Sequence, residues 1–390
     1  MRRNYLVFAL ILAALNLRPS ITSIPPMLGT LQEQLGISGS IASLLTSLPV
    51  LCMGLFAPLA VKLNRKWGTE GAIAVALLLI GVGTAFRLFA GSILALLMTS
   101  FLAGLGIAIA GPLLSGYIKR HFSNRASAMV GVYSTAMVLG AVLSVWLSVP
   151  LQKLMNGSWN DSLAIWAVLA IIALPIWWRL ALRMKKEKAK QTEQTRAVTI
   201  DTIPLKKYRA WVLTLFFGLM AAIFYSVTTW FAPAVQSMGY TKETAGNMQS
   251  MLTLISLPAT LFIPMLVQRF QRRLLWLIVC SVLELIGVLM LNLSVSPWLA
   301  AIPLGIGTGG LFPLALMLPI EETRNAGEAN AWSSMVQSGG YIMGAAGPFV
   351  VGRIHDVSDS FIQAFYVLAV MIVLQIIVQV VIGNKKATLN

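Results

Sequence analysis

Charge is scarce in this chain. Of its 390 residues only 11% are charged, against roughly 25% in an ordinary soluble domain. That shortage excludes a soluble globular enzyme, and the 57% hydrophobic content excludes disorder. Cysteine is scarce as well. Cys52 and Cys280 fall inside apolar runs far apart in the sequence, so they read as small core residues, not as a disulfide or metal site. The two histidines, His121 and His355, have no metal-ligating neighbours and belong to opposite membrane faces. No Walker sequence is present, which excludes ATP as a direct power source. The GxG pairs at Gly104 and Gly305 lie within apolar runs with no strand before them, so they are not nucleotide loops. No enzyme constellation, cofactor or metal is expected.

What the chain has is apolar length. Mean hydropathy is +0.80, and hydropathy outlines twelve helices of membrane-spanning length. Their expected limits are 5–33, 41–62, 70–90, 93–118, 126–149, 162–182, 210–236, 244–268, 274–294, 297–319, 327–352 and 360–383. The start, Met1-Arg2-Arg3 before an apolar stretch, resembles a signal peptide. No small-residue cleavage site follows it, and the run continues through Arg18 and three prolines. It reads as a retained first helix.

The net charge of +16 is concentrated in short clusters between these runs. Such clusters mark the cytoplasmic loops of a polytopic protein, not a nucleic-acid surface. With both termini cytoplasmic, the inner segments hold 24 Lys and Arg, and the outer ones hold Arg87, Lys153, Lys242 and Arg353. Arg18 alone remains, inside the first span. One loop, 183–209, is long, polar and basic. It divides the chain into a six-helix bundle over 1–182, a cytoplasmic linker, and a six-helix bundle over 210–390. Its charge suits a solvated tether or contact with anionic lipid.

The two halves repeat. Gly104-Leu105-Gly106 and Pro112-Leu113 match Gly305-Ile306-Gly307 and Pro313-Leu314, and Asn124 and Ala128 match Asn325 and Ala329, all at an offset of 201. A weaker match pairs FAPLAVKLNRK from Phe56 with FIPMLVQRFQR from Phe262. Matched halves argue for two bundles of common design.

Six plus six spans, a basic central loop and matched halves resemble the major facilitator superfamily. The loop Val61-Lys62-Leu63-Asn64-Arg65-Lys66-Trp67-Gly68-Thr69-Glu70 is similar to that superfamily's signature G-x-L-x-D-R-x-G-R-R. It keeps Leu63, a basic Lys66 and the turn glycine Gly68. Arg65 stands where the acidic residue belongs, and Thr69-Glu70 replaces the trailing basic pair. These departures resemble one branch, the cyanate/2-nitroimidazole transporter (CynX/NimT) family. Leu17-Arg18-Pro19, Arg65-Lys66-Trp67-Gly68 with Glu70, and the stretch from Met335 to Asp356 carry that likeness. The resemblance implies an all-α membrane protein of twelve transmembrane helices in two pseudo-symmetric six-helix bundles. It implies secondary transport of a small molecule by alternating access in a bacterial cell membrane. The partners would be the substrate and the lipid bilayer, with no nucleic acid and a monomeric state. Spans 1, 4, 7 and 10 would line the central cavity, and Arg65, Lys66 and Gly68 would belong to a gating loop.

Arg18 is the sharpest local signal. A charge near a helix centre costs at least roughly 2.5–3.5 kcal/mol on insertion scales. Its guanidinium has five donors and stays protonated. Pro19, Pro25 and Pro26 free the carbonyls of Leu15, Ile21 and Thr22 around it. Arg18 is therefore either a contact for an anionic or electron-rich substrate or a structural cation tied to protein groups. Glu284 is the one carboxylate deep in a span, and reads either as a proton carrier or as a neutral scaffold residue. Tyr225 and Trp230 in span 7, Gln249 in span 8, Tyr133 in span 5, and Asn330, Gln337 and Tyr341 in span 11 complete the candidate substrate site. Hydroxyls at such depth more often join helices. Gly131 and Gly140 begin the antiporter pattern G-x8-G-x3-G-P, which fails at Ser144-Val145. The alternative reading is an exporter of neutral or cationic compounds with a promiscuous apolar pocket. A receptor with a carrier-like body is a third, disfavoured because no signalling domain is evident.

Overall fold

Hydrocarbon offers the backbone no water, so each apolar run must bond its own amides and carbonyls, which a helix does within one segment. The computed structural model describes residues 3–36, 39–191, 202–358 and 360–383, and nearly all of these are helical. In chain order the helices are α1 (Arg3–Asn16), α2 (Pro19–Thr22), α3 (Leu28–Leu35), α4 (Gly39–Phe56), α5 (Leu59–Ala85), α6 (Ile93–Phe122), α7 (Ala126–Leu154), α8 (Trp159–Ala164), α9 (Ala167–Gln191), α10 (Tyr208–Ser237), α11 (Lys242–Phe270), α12 (Arg273–Asn292), α13 (Pro297–Glu321), α14 (Ala326–Ser358) and α15 (Phe361–Ile382). Nine runs among the described residues are long and apolar enough to cross a bilayer. One of them, Ile93–Leu154, holds both α6 and α7. With α4 and α14 the membrane-length elements number twelve, as the hydropathy predicts.

Two expectations need correction. The first span, expected as one element over 5–33, is broken. α1 ends at Asn16, α2 is a single turn, and a 3-10 turn follows at Pro25–Met27. Three prolines without N–H groups forbid a continuous ladder there. The second span, expected to end at 62, resumes at Leu59 and runs on to Trp67. The chain turns only at Gly68, whose φ of 74° suits a residue without a Cβ. Thr69 Oγ1 donates to Asn64 Oδ1 across that turn at 2.9 Å. The expected linker, 183–209, lies partly outside the described residues, at 192–201. α9 continues to Gln191, and α10 starts at Tyr208.

The chain groups into two compact units. The first comprises Met1–Ser123, Ala136–Pro204 and Thr323–Ser338. The second comprises Asn124–Thr135, Leu205–Glu322 and Gly339–Asn390. In the first, α1 is held by side chains reaching its carbonyls. Tyr117 Oη donates to Leu6 O at 3.2 Å, and Trp177 Nε1 donates to Ala9 O at 3.0 Å. Both donors are fully buried, so each bond removes a polar group that hydrocarbon would leave unpaired.

The sequence repeat is also a packing repeat. A Cβ at Gly106 would meet Ala76 O and the Ile80 side chain, while one at Gly307 would meet Cys280 O and the Glu284 side chain. Likewise Gly104 lies against Pro49 and Cys52, and Gly305 against Leu252 and Ile255. In each half one helix approaches two neighbours at backbone distance because these positions carry no side chain.

Candidate functional site

The break in the first span places Arg18 at the junction of α1 and α2. Its side chain is half-buried, and its backbone (φ −111°, ψ −38°) precedes Pro19. The Arg18 carbonyl accepts from Ile21 N at 2.9 Å, Thr22 N at 3.0 Å and Thr22 Oγ1 at 3.0 Å. Thr22 Oγ1 also lies 2.6 Å from Ser144 Oγ on α7. Ser144 Oγ in turn donates to Ala141 O, Ser148 Oγ to Ser144 O, and Ser162 Oγ to Ser148 O. A ladder of hydroxyls thus runs from the Arg18 turn through α7 to α8. Ser144, where the glycine pattern of span 5 fails, is the residue whose hydroxyl meets that of Thr22.

A second arginine, which reads from the sequence as an outer-loop charge, stands close to this break. Arg87 is fully buried, and its Nη2 donates to Ser20 O at 2.6 Å. Among the described residues its Nε and Nη1 have no partner, nor have the hydroxyls of Ser20 and Ser23. Asn160 Nδ2 fixes the backbone here, donating to Arg87 O and Ala90 O. The signal in the sequence was faint: an arginine within apolar residues at the end of span 3.

Asn330 and Gln337 belong to the first unit, on α14. They are seven residues apart and so share a helix face. Gln337 Oε1 lies 2.7 Å from where a Cβ at Gly111 would stand, and the Asn330 amide overlaps the corresponding place at Gly116. Both glycines are on α6, so their absent side chains leave room for amides. The two amide atoms of Asn330 are buried without a partner among the described residues. Nearby, Ser338 Oγ donates to Gly54 O at 2.5 Å.

The remaining candidates belong to the second unit. Tyr225 has a buried hydroxyl without a partner among the described residues, and its ring meets Phe224 edge-on at 5.4 Å. Gln249 also has a buried, unpartnered Oε1. Tyr341 is buried edge-on to Phe217, 5.2 Å away, and Tyr133 is buried as well. Trp230 is committed to packing: its Nε1 donates to Pro348 O at 2.9 Å, and its ring lies against His355 and Phe361. A cavity of about 420 Å³, lined by Ser237, Tyr240, Leu291, His355 and Phe361 among others, lies near the ends of α10 and α12, and none of these candidates lines it.

The loop residues sit beside a charged joint. Lys66 Nζ lies 5.1 Å from the Trp67 ring. Glu70 follows the Gly68 turn and accepts from Arg120 Nη1 at 3.0 Å, with His121 Nε2 at 3.3 Å. The second unit carries the corresponding joint. Arg273 donates to Glu321 Oε2 at 3.0 Å and to Glu322 Oε1 at 2.7 Å, and Arg209 donates to Glu322 Oε1 at 3.0 Å. Burial pushes the Glu322 carboxyl up, but the hydrogen bonds from Arg209 and Arg273 outweigh it and hold it below the ordinary carboxylate range. Arg120 and His121 occupy the repeat positions of Glu321 and Glu322, at the offset of 201. The same joint is therefore closed in both halves with its charges exchanged.

The sequence pattern of the Major Facilitator Superfamily matches residues 6–348. An uncharacterized transporter, YycB, of Bacillus subtilis is 34% identical over 93% of this chain and 90% of its own. The cyanate transport protein CynX of Escherichia coli is 31% identical over 94% of both chains. The 2-nitroimidazole transporter of Escherichia coli is 29% identical over 98% of this chain and 96% of its own. Among solved structures, the proton:xylose symporter XylE superposes with a TM-score of 0.78 at 14% identity, over 98% of this chain and 96% of its own. That likeness concerns the fold.

Proposed function

The chain belongs to the Major Facilitator Superfamily, and from that premise we propose that it carries a small anionic or polar, electron-rich organic solute across the bacterial cell membrane by alternating access. Its relatives are transporters, not enzymes, and secondary transport of small solutes is the family's work. The substrate class and the residues that meet it are our reading. One observation carries it: a half-buried guanidinium, Arg18, at the helix break of the first span. A guanidinium has five donors in a planar fork, and a negatively polarised solute can take charge-assisted hydrogen bonds from such a group. The names of two relatives agree in chemistry. Cyanate is an anion, and a nitroimidazole carries a nitro group whose two oxygens are negatively polarised. Asn330, Gln337, Tyr133, Tyr225, Gln249 and Tyr341 supply further polar and aromatic groups in this reading, and both termini face the cytoplasm. The carrier acts as a monomer.

The test is a thermal-shift screen of the purified protein against cyanate, nitroaromatics and small carboxylates. The expected result is stabilisation by at least one of these, lost in Arg18→Ala while that variant stays monodisperse. Stabilisation by neutral or cationic compounds alone, equal in both proteins, would refute the reading.

A further inference from the structure

Glu284 lies in the middle of α12 with its side chain fully buried. On α15, Gln375 and Gln379 are fully buried too. Gln375 Nε2 donates to Glu284 Oε2 at 3.2 Å and to Ser281 Oγ at 2.9 Å. Gln379 Nε2 donates to the same serine oxygen at 2.7 Å. Three oxygens of this cluster have no partner among the described residues: Oε1 of Glu284, of Gln375 and of Gln379. The carboxyl group thus receives one hydrogen bond, from a neutral amide. Among the described residues, the groups that face it are uncharged. α12 itself contributes the thiol of Cys280, α13 contributes Gly307, and α15 contributes the two glutamines.

Packing alone does not call for an acid here. In the first half, Gly106 rests on Ala76 and Ile80, and in the second Gly307 rests on Cys280 and Glu284. Ala76 and Cys280, like Ile80 and Glu284, are 204 residues apart, while Gly106 and Gly307 are 201 apart. The fold fills this position with isoleucine in one half and with a carboxyl group in the other.

Counting hydrogens says what the acid holds. Gln375 uses both amide hydrogens, on Glu284 and Ser281. Ser281 Oγ accepts twice, so its own hydrogen needs an acceptor elsewhere. A carboxylic O–H on Glu284 needs another. Among the described residues the amide oxygens of Gln375 and Gln379 are the unused acceptors of the cluster, and Gln379 Nε2 keeps one hydrogen unused. An ionised Glu284 would instead be a buried charge with one neutral donor, which hydrocarbon penalises heavily.

We propose that Glu284 is a proton-binding site of the second unit, loaded and unloaded against the hydrogen bonds of Ser281, Gln375 and Gln379. Unloading breaks the Glu284 O–H bond, leaves the electron pair on the carboxylate, and passes the proton to water. Because Glu284 packs on Gly307, the charge so created is felt by α13, a helix with Pro303, Pro313 and Pro319 in its length. The inference rests on α12, α13 and α15 and stands apart from the substrate class proposed above.

Infrared difference spectroscopy of the full-length protein in lipid nanodiscs tests it without a substrate. The wild type is expected to show a protonated-carboxyl carbonyl band that shifts in D2O, and Glu284→Gln is expected to lose it. If Glu284→Gln is poorly folded, Glu284→Asp serves instead, and displacement of the band assigns it. Absence of the band at neutral pH would mean an ionised residue and overturn the proposal. A band indifferent to D2O would mean a locked, structural proton and overturn it as well. Stabilisation by sodium over choline, lost in Glu284→Gln and accompanied by no such band, would assign an alkali ion in place of the proton.

Discussion

The carbonyl oxygen of Leu15 lies 2.5 Å from where a Cβ at Gly140 would stand. Pro19 has no N–H to offer that carbonyl, so the turn that presents Arg18 leans on a position of α7 with no side chain. Gly140→Ala must displace either the carbonyl or the helix. An alanine in a helix interior ordinarily stabilises by about 1 kcal/mol relative to glycine. Here overpacking reverses the sign, at about 1–3 kcal/mol destabilising. A fall in Tm of the purified variant is the expected outcome, and a rise would show that α1 and α7 have slack at this point.

Gly116 and Asn330 predict a compensating pair. The Asn330 amide fills the place of a Cβ on Gly116, so Gly116→Ala alone is destabilising. Gly116→Ala with Asn330→Ala recovers most of the loss, because the obstructing amide is gone. Thermal unfolding of the two single variants and the double gives a coupling of about 0.5–3 kcal/mol if the contact is real. Additive losses would deny it.

The joint around Glu322 makes stability depend on pH. Its carboxyl is held low in the native state by Arg209 and Arg273, against the effect of burial. A carboxyl group lowered on folding contributes stability that is complete above its unfolded value, about 4.3, and is lost as pH falls through the native value. Unfolding followed from pH 7 downward should show that loss, and Glu322→Gln should flatten it. Arg273→Met should cost more than Arg120→Met, since Arg273 is 3% exposed and Arg120 is 31% exposed. Equal losses would show that burial does not strengthen the second joint.

Much of the fold was legible in residue pattern, because a membrane helix declares itself by length and apolar content. Expected limits of 274–294 and 297–319 fell close to α12 and α13. What failed was local. Prolines after Arg18 cut a span that hydropathy reads as continuous, and Gly68 moved a turn that a loop pattern had spread over several residues. Site residues were less legible. An arginine in the outer part of a span reads as a loop charge until the fold buries it, as happens to Arg87. The exchanged charges at Glu70 and Arg273 were within reach, since the offset of 201 carries Arg120 and His121 onto Glu321 and Glu322. The matched glycines drew attention to the apolar residues of the repeat and away from its charges. Trp230 reads from sequence as a pocket aromatic, and only the fold commits its N–H to Pro348.

The central claim is that Arg18 receives a negatively polarised solute, and calorimetric titration of an anion that stabilises the wild type tests it most directly. Losing a hydrogen bond to a charged group costs about 1.5–3 kcal/mol, so Arg18→Ala should weaken binding roughly 10- to 150-fold. Arg18→Lys should keep part of the affinity, since it retains the charge without the planar fork. Equal affinity in the wild type and Arg18→Ala would contradict the account.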